Sequence, residues 1–173
     1  GSPVRRIGVA LCLLVLLSQA RSASAGGWLA PTALALTAEN QTLHVAAARG
    51  HQLLTLEVST GQTLRTIPLD EEPTGLALSA DGVQLAVTCS GSTNLVVLLD
   101  ASTGELQRRL SSGPGVCSPV LNRAGNTLYV CLRFANAVAV IDLTTGRERA
   151  RAPTGREPVA VALTPDERWL VVA

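Results

Sequence analysis

A phrase of about 42 residues recurs along the chain, and this repeat limits strongly what the chain can fold into. Its copies begin at regular intervals of 42, 43 and 42 residues, at Pro31, Pro73, Val116 and Pro158. A Thr-Gly pair closes the later part of three copies with the same period, at Thr60-Gly61, Thr103-Gly104 and Thr145-Gly146. A repeat of this length indicates supersecondary units that stack on one another.

Each copy predicts four short strands. In the second copy the apolar segments are 75–79, 84–89, 94–100 and 105–110. Asp81-Gly82 between the first two predicts a tight hairpin turn, because Gly accepts positive φ and Asp can bond nearby backbone. No helical period follows Ala25, and four strands in about 40–45 residues are typical of a propeller blade.

The sequence therefore predicts an all-β fold, a β-propeller of four-stranded antiparallel blades. The predicted blades are residues 31–72, 73–115 and 116–157, and residues 158–173 form the first half of a fourth. Closed propellers have about four to eight blades. We expect the chain to be the N-terminal part of a longer propeller, with seven blades in all.

An acidic residue stands three positions before each turn Thr, at Glu57, Asp100 and Asp142. A carboxylate in this place can accept hydrogen bonds from the turn backbone. We interpret the three acids as structural residues rather than catalytic ones.

Residues 1–25 have the layout of a secretory signal peptide. Arg5 and Arg6 precede the apolar run 7–17, and Ala23-Ser24-Ala25 gives a cleavage pattern. Eleven apolar residues are too few to span a bilayer, although an uncleaved anchor is the alternative. We expect a mature chain from Gly26 that is periplasmic, secreted or on the cell surface, with membrane contact only during export.

The composition indicates which class of partner the chain can bind. The formal net charge is +1 and 16% of residues are charged, which indicates no basic surface for nucleic acid. Aromatic residues make up 2% of the chain and leave few platforms for stacking bases or sugars. We expect a protein partner or a fused domain, and no nucleic acid.

The repeat resembles that of the YVTN β-propeller family. The matching pieces are Pro73, Asp81-Gly82, "LAVTC" and "VVLLDASTG" in the second copy, "LYVCL" and "NAVAVIDLTTG" in the third, and "PVAVALTPDE" in the fourth. The resemblance covers residues 31–173. The Tyr-Val-Thr-Asn signature itself is altered, to "HVAA", "AVTC" and "YVCL" in the three complete copies.

This resemblance implies an extracytoplasmic protein that presents a binding face. Some relatives are lactonase-like enzymes, and others are fused to c-type cytochrome domains. We expect a binding or scaffold platform, within a periplasmic cytochrome-linked redox protein if haem c is carried C-terminal to Ala173. The chain itself has no Cys-x-x-Cys-His motif, so no cofactor is expected in this segment.

Two alternatives stay open, a lactonase-like hydrolase and a cell-surface structural repeat protein. The hydrolase would need His, Glu and Arg clustered at the central channel. No nucleophile with a positioned base is evident, so we assign no catalytic residue and leave open whether the protein is an enzyme.

Three cysteines follow the signal peptide. Strand polarity places Cys89, Cys117 and Cys131 toward one end of the blades, and His51 at the same end. We predict a Cys117–Cys131 disulfide, because neighbouring antiparallel strands bring such residues within bonding range. The alternatives are a metal site formed with His51, for which no ligand spacing argues, and three buried thiols.

The remaining candidates are basic side chains. Arg49, Arg133 and Arg156 are predicted in loops near the same end as His51, where they could bind an anionic partner. His44 lies within a predicted strand and is interpreted as a packed residue.

Overall fold

The computed structural model describes residues 29–173, which form four antiparallel sheets. The strands of blade one are β1 (Pro31–Leu36), β2 (Thr42–Ala47), β3 (Gln52–Glu57) and β4 (Thr63–Pro68). Those of blade two are β5 (Glu72–Leu78), β6 (Gln84–Ser90), β7 (Leu95–Asp100) and β8 (Leu106–Ser111). Those of blade three are β9 (Val116–Leu121), β10 (Thr127–Leu132), β11 (Ala137–Asp142) and β12 (Arg147–Pro153), and blade four has β13 (Val161–Leu163) and β14 (Leu170–Val172). The predicted all-β, four-stranded blades are confirmed.

Strands pair in chain order within every blade, so each sheet is a simple meander. The first strands of successive blades lie beside one another, β1 next to β5, β5 next to β9, and β9 next to β13. We call these four the inner strands. A single 3-10 turn, Arg133–Ala135, interrupts the described β structure. Within residues 29–173 no helix is long and apolar enough to cross a membrane. The predicted signal peptide lies outside the described residues.

The polarity of the strands gives the array two different ends. The links between blades and the loops between second and third strands share one end, which we call the connection end. It comprises residues 48–51, 69–71, 91–94, 112–115, 133–136 and 154–160. The tight turns within the blades lie at the opposite end, which we call the turn end. Every candidate binding residue from the sequence therefore falls at the connection end.

The core lies between the blades. The second and third strands are buried on both faces, as in β6, where the five residues from Leu85 to Cys89 are all buried. One layer between blades one and two includes Leu53, Val87 and Leu99, and the next layer has its own apolar cluster. Each fully buried side chain of this size contributes about 1.5–3 kcal/mol. Every residue of the outermost strand β12 is exposed, so the blades are stabilised mainly by their middle strands.

The turns follow the predicted local chemistry. Gly82 has φ +73°, and the Asp81 carboxylate accepts hydrogen bonds from the Ser79 hydroxyl at 2.5 Å and the Val83 amide at 3.1 Å. Hydrogen bonds from the turn backbone to the acid are confirmed at Asp100 and Asp142, whereas Glu57 accepts only from a side-chain hydroxyl. Asp100 accepts from the amides of Ser102 and Thr103 at 2.9 and 2.7 Å. Asp142 makes the same pair of bonds in blade three, and Glu57 accepts from the Thr60 hydroxyl in blade one.

The bonds at Asp100 predict a pH-dependent contribution to stability. The Ser102 hydroxyl and then the Thr103 amide lower the pKa of Asp100 to about 2. Since the folded pKa lies below the unfolded value of about 3.9, the contribution is present above pH ~4 and is lost as the pH falls toward 2. We expect Asp100→Asn to flatten the fall in urea unfolding midpoint over this window. Glu105→Gln, at an exposed carboxylate that accepts no hydrogen bond within residues 29–173, should leave the slope as it is. An Asp100→Asn profile that matches the parent's would contradict this role.

Candidate functional site

The four basic residues singled out in the sequence all lie at the connection end and are exposed. Arg49 and His51 occupy the loop after β2, Arg133 opens the 3-10 turn after β10, and Arg156 lies in the link between β12 and β13. They belong to three separate loops rather than to one pocket. Their arrangement fits a surface that contacts a partner more than a site that encloses a small molecule.

His51 has a backbone role that recurs in every complete blade. Its φ is +45°, and Asn94 and Asn136 hold the same left-handed conformation at φ +50° and +49°. The His51 carbonyl accepts the Leu69 amide at 2.7 Å, which ties the end of β4 to this loop. Asn94 and Asn136 make the matching bonds in blades two and three. The fold therefore requires the backbone conformation of His51, independently of what the exposed imidazole ring touches.

Arg133 is already engaged within the protein. Its guanidinium makes two hydrogen bonds to Glu157, at 3.2 and 3.0 Å, and lies 5.7 Å from the centre of the Phe134 ring. An exposed pair of this kind contributes about 0–1 kcal/mol. An anionic partner must therefore compete with Glu157 for Arg133, whereas Arg156 makes no side-chain hydrogen bond or ion pair within residues 29–173.

Phe134 is a surface residue that the sequence analysis missed. Its side chain is 66% exposed and rests on Gly115, where a Cβ would lie 2.8 Å from the ring. Gly115 has φ +71° as well, so both its conformation and the close approach favour glycine there. The signal was present, because Phe134 is the one Phe of the chain and stands in a loop rather than in an apolar strand.

Glu71 is a second residue that the sequence did not reveal. Its buried carboxylate accepts hydrogen bonds from the Ser92 hydroxyl at 2.9 Å, from the Thr93 amide and hydroxyl at 2.8 Å each, and from the Asn94 amide at 3.2 Å. The Thr93 hydroxyl is the largest cause that lowers the pKa of Glu71. The ionised carboxylate thus holds the whole loop of blade two in one conformation.

The cysteines divide between two layers of the core. Cys117 and Cys131 stand directly opposite each other on β9 and β10. All three lie toward the connection end. Cys89 and Cys131 are not at equivalent positions, because the pairings of Thr88 with Val96 and of Cys131 with Val138 show that Cys89 lies one residue further along. Alternate strand residues face opposite ways, so Cys89 lies in the layer toward blade one and Cys131 in the layer toward blade four.

The described thiols are protonated at neutral pH. Burial raises the pKa of Cys89 to about 12 and that of Cys131 to about 11, and it raises the pKa of Cys117 as well. All three are free cysteines in the structure, and the Cys117–Cys131 disulfide stays a prediction. Within residues 29–173, no three side chains of His, Cys, Asp or Glu come together in a way that could hold a metal ion.

His44 is a packed strand residue, as predicted. It is 1% exposed, and its Nδ1 lies 3.2 Å from the Thr55 hydroxyl across the β2–β3 pair. Burial, followed by the charge of Arg65, lowers the pKa of His44. The ring is therefore neutral at pH 7 and belongs to the core between blades one and two.

The inner strands border an open groove of about 250 Å³. Thr32, Thr74 and Ser118 supply its hydroxyls, and Pro119 and Val161 are among its apolar side chains. No ionisable side chain of the described blades lines this groove. The acid, base and guanidinium that the lactonase-like alternative requires are thus not brought together along this groove.

Comparison with known proteins bears on the fold. No protein-family model matches the sequence, and no curated protein matches it. Solved structures, in contrast, do match this chain. A hydrazine synthase from Kuenenia stuttgartiensis superposes with a TM-score of 0.78 at 20% identity, over 87% of this chain and 44% of that one. The WD40 repeats of RRP9 give a TM-score of 0.70 at 18% identity, over 86% of this chain and 52% of that one.

A third structure names the architecture in its own description. The β-propeller domain of Cps50 (Swd1) from Myceliophteria thermophila gives a TM-score of 0.69 at 18% identity, over 82% of this chain and 48% of that one. The fold is a β-propeller. The chain spans about half the length of these structures, and identities this low show the propeller fold alone.

The left-handed loop position of the propeller yields a stability prediction. The Asn94 and Asn136 side chains accept the amides of Gly115 and Glu157 at the start of the next blade, at 3.2 and 2.8 Å. His51 has no such oxygen to offer the corresponding amide of Glu72. We expect His51→Asn to raise the free energy of unfolding by about 0.5–1.5 kcal/mol, the net value of one hydrogen bond, measured by urea unfolding.

His51→Ala provides the matched control for this prediction. Alanine has neither a side-chain acceptor nor the tolerance of Asn and His for positive φ, so this variant should be no more stable than the parent. A His51→Asn variant no more stable than the parent would show that the link between blades one and two does not use this bond.

Proposed function

We propose that the chain is part of an extracytoplasmic β-propeller of the YVTN kind that serves as a rigid scaffold. Its connection end would present loops to a protein partner or to a fused domain. The observation that carries the proposal is the contrast within these loops. Their backbones are held by Glu71, Asn94 and Asn136, while Phe134 and Arg156 project into solvent.

The chemistry of the exposed residues suits a protein partner. Aromatic and Arg side chains are enriched where binding energy concentrates in protein interfaces. Phe134 offers a large apolar ring, with Arg133 beside it and Arg156 in a neighbouring loop. A complementary partner would offer an apolar pocket for the ring and carboxylates at its rim.

The rigidity of the loops favours tight binding. Ordering a flexible loop on association costs free energy, and loops fixed in advance avoid this cost. The buried Glu71 carboxylate fixes one loop, and the Gly115–Phe134 contact fixes the base of another. The scaffold would therefore contribute to affinity by keeping its contact residues in place before the partner arrives.

The location and the redox link rest on the sequence. The basic residues, apolar run and Ala-Ser-Ala pattern of residues 1–25 support export. The family resemblance alone supports a cytochrome-linked protein, with haem c bound C-terminal to Ala173. The lactonase-like hydrolase and the surface repeat protein stay as alternatives, and no contact in the described blades favours either.

Site-specific cross-linking in the native host tests the scaffold. A photo-reactive benzophenone amino acid replaces Phe134 at the connection end in one variant. In the control it replaces Val83, which is 53% exposed in a turn at the opposite end. Both positions are exposed, so neither change should disturb the core. We expect Phe134 to link one defined protein or fused domain, identified by mass spectrometry, and Val83 to link none.

The cross-linked species also tests the finer parts of the proposal. A haem-dependent peroxidase stain of that band should be positive if the partner is a c-type cytochrome, and a negative stain removes the redox link. Equal cross-linking from Val83, or none from Phe134, would overturn the assignment of the connection end as the binding surface. Recovery of the protein in the cytoplasmic fraction would overturn the extracytoplasmic location.

A further inference from the structure

In each complete blade, the side chain at one equivalent position of the inner strand lies within hydrogen-bonding distance of a carbonyl of the next blade. The Thr32 hydroxyl in blade one donates to the carbonyl of Pro73 at 2.9 Å, and the Thr74 hydroxyl in blade two donates to the carbonyl of Val116 at 2.6 Å. The same position in blade three is Cys117, whose Sγ lies 3.9 Å from the carbonyl of Pro158. A thiol therefore replaces a hydroxyl in the third of these links.

The substitution coincides with a change of strand register. In blades one and two the Thr is the extra residue of a bulge, so no β2 or β6 residue pairs with it. In blade three the irregularity falls further along, and Cys117 pairs directly with Cys131. Directly opposed residues of antiparallel strands have Cα atoms about 4.5–5.5 Å apart, within the disulfide range of about 4.4–6.8 Å.

The two thiols differ in access. Cys117 is partly exposed, whereas Cys131 is fully buried behind it on the facing strand. A reagent in solution can reach Cys117 first, and Cys131 is then placed to complete the reaction. Cys89 lies in the other core layer and cannot reach either.

We propose that Cys117 and Cys131 form a redox pair whose oxidation releases the start of blade four. The oxidant is a small-molecule disulfide such as oxidised glutathione. The Cys117 thiolate attacks one of its sulfurs and expels one glutathione thiolate, leaving a mixed disulfide. The Cys131 thiolate then attacks the Cys117 sulfur and expels the second. Two protein thiols become one disulfide, two glutathione thiols are formed, and no atom is left over.

Oxidation removes the Cys117 hydrogen, so the Pro158 carbonyl loses its donor from blade three. The blade-four segment is then held to blade three by fewer bonds. Those that remain include the Val161 amide to the Ser118 hydroxyl at 3.0 Å, the Arg123 guanidinium to the Pro165 carbonyl at 3.2 Å, and the Arg123 amide to the Glu167 carboxylate. Local opening at 158–164 is therefore the expected response, while blades one to three stay closed.

The test oxidises the purified, fully reduced chain with excess glutathione disulfide at about pH 8.5, where the thiolate fraction is larger. The thiol count of the denatured protein should fall by two, and peptide mapping should join Cys117 to Cys131. Amide hydrogen exchange within 158–164 should become about two- to fivefold faster, since a thiol is a weak donor and its bond is worth less than an ordinary one. Exchange within β6 should not change.

Three variants make the result specific. Cys117→Thr restores the hydroxyl of the other blades, and we expect neither disulfide nor faster exchange after treatment. Cys131→Ser should stop at a mixed disulfide with one glutathione on Cys117. Cys89→Ser should respond as the parent does.

Two outcomes would overturn the proposal. If three thiols of the described segment persist in the folded parent after treatment, the pair is not redox-active. If the disulfide forms and exchange at 158–164 is unchanged, oxidation does not act on blade four.

Discussion

Face-to-face packing of apolar sheets is the constraint on which the rest of this structure depends. The middle strands carry apolar side chains at consecutive positions, so both faces of each sheet must be removed from water. In β10, for example, Val130 faces the layer toward blade two and Cys131 the layer toward blade four. No blade can satisfy this alone, and its stability is shared with its neighbours, as in other repeat proteins.

Apolar packing alone does not fix the displacement of one blade relative to the next. Polar bonds at the inner strands fix this displacement. The links from Thr32, Thr74 and Cys117 set this offset near the channel. At the connection end, the Asn94 and Asn136 side chains add a second link to the next blade. Blade one has His51 at this position and lacks that oxygen, and the Glu71 carboxylate in the following link binds the loop of blade two.

What the sequence could predict was the part that repeats. The blade period, the strand order and the turn acids Asp100 and Asp142 follow from local patterns that occur several times. Glu71 lies in a connection whose sequence differs from blade to blade, so no repeated pattern could reveal it, and Phe134 is marked only as the one Phe of the chain that stands in a loop. The sequence placed Cys89 and Cys131 toward the same end of the blades but did not show that they face different core layers, because a shift of one residue along a strand moves a side chain to the opposite face.

The same contrast indicates where function can lie in such an array. A residue that the repeat requires recurs at its position in each blade. A residue that occurs in one blade is not required by the repeat. Recurrence of a residue type in the sequence is not enough to apply this distinction, as His51 shows. Its side chain differs from those of Asn94 and Asn136, but it has the same backbone conformation and its carbonyl makes the same bond. Phe134 and Cys117 each occur at their position in one blade and add a chemical property there. The first adds an exposed phenyl ring at the connection end, and the second adds a thiol where Thr32 and Thr74 have hydroxyls.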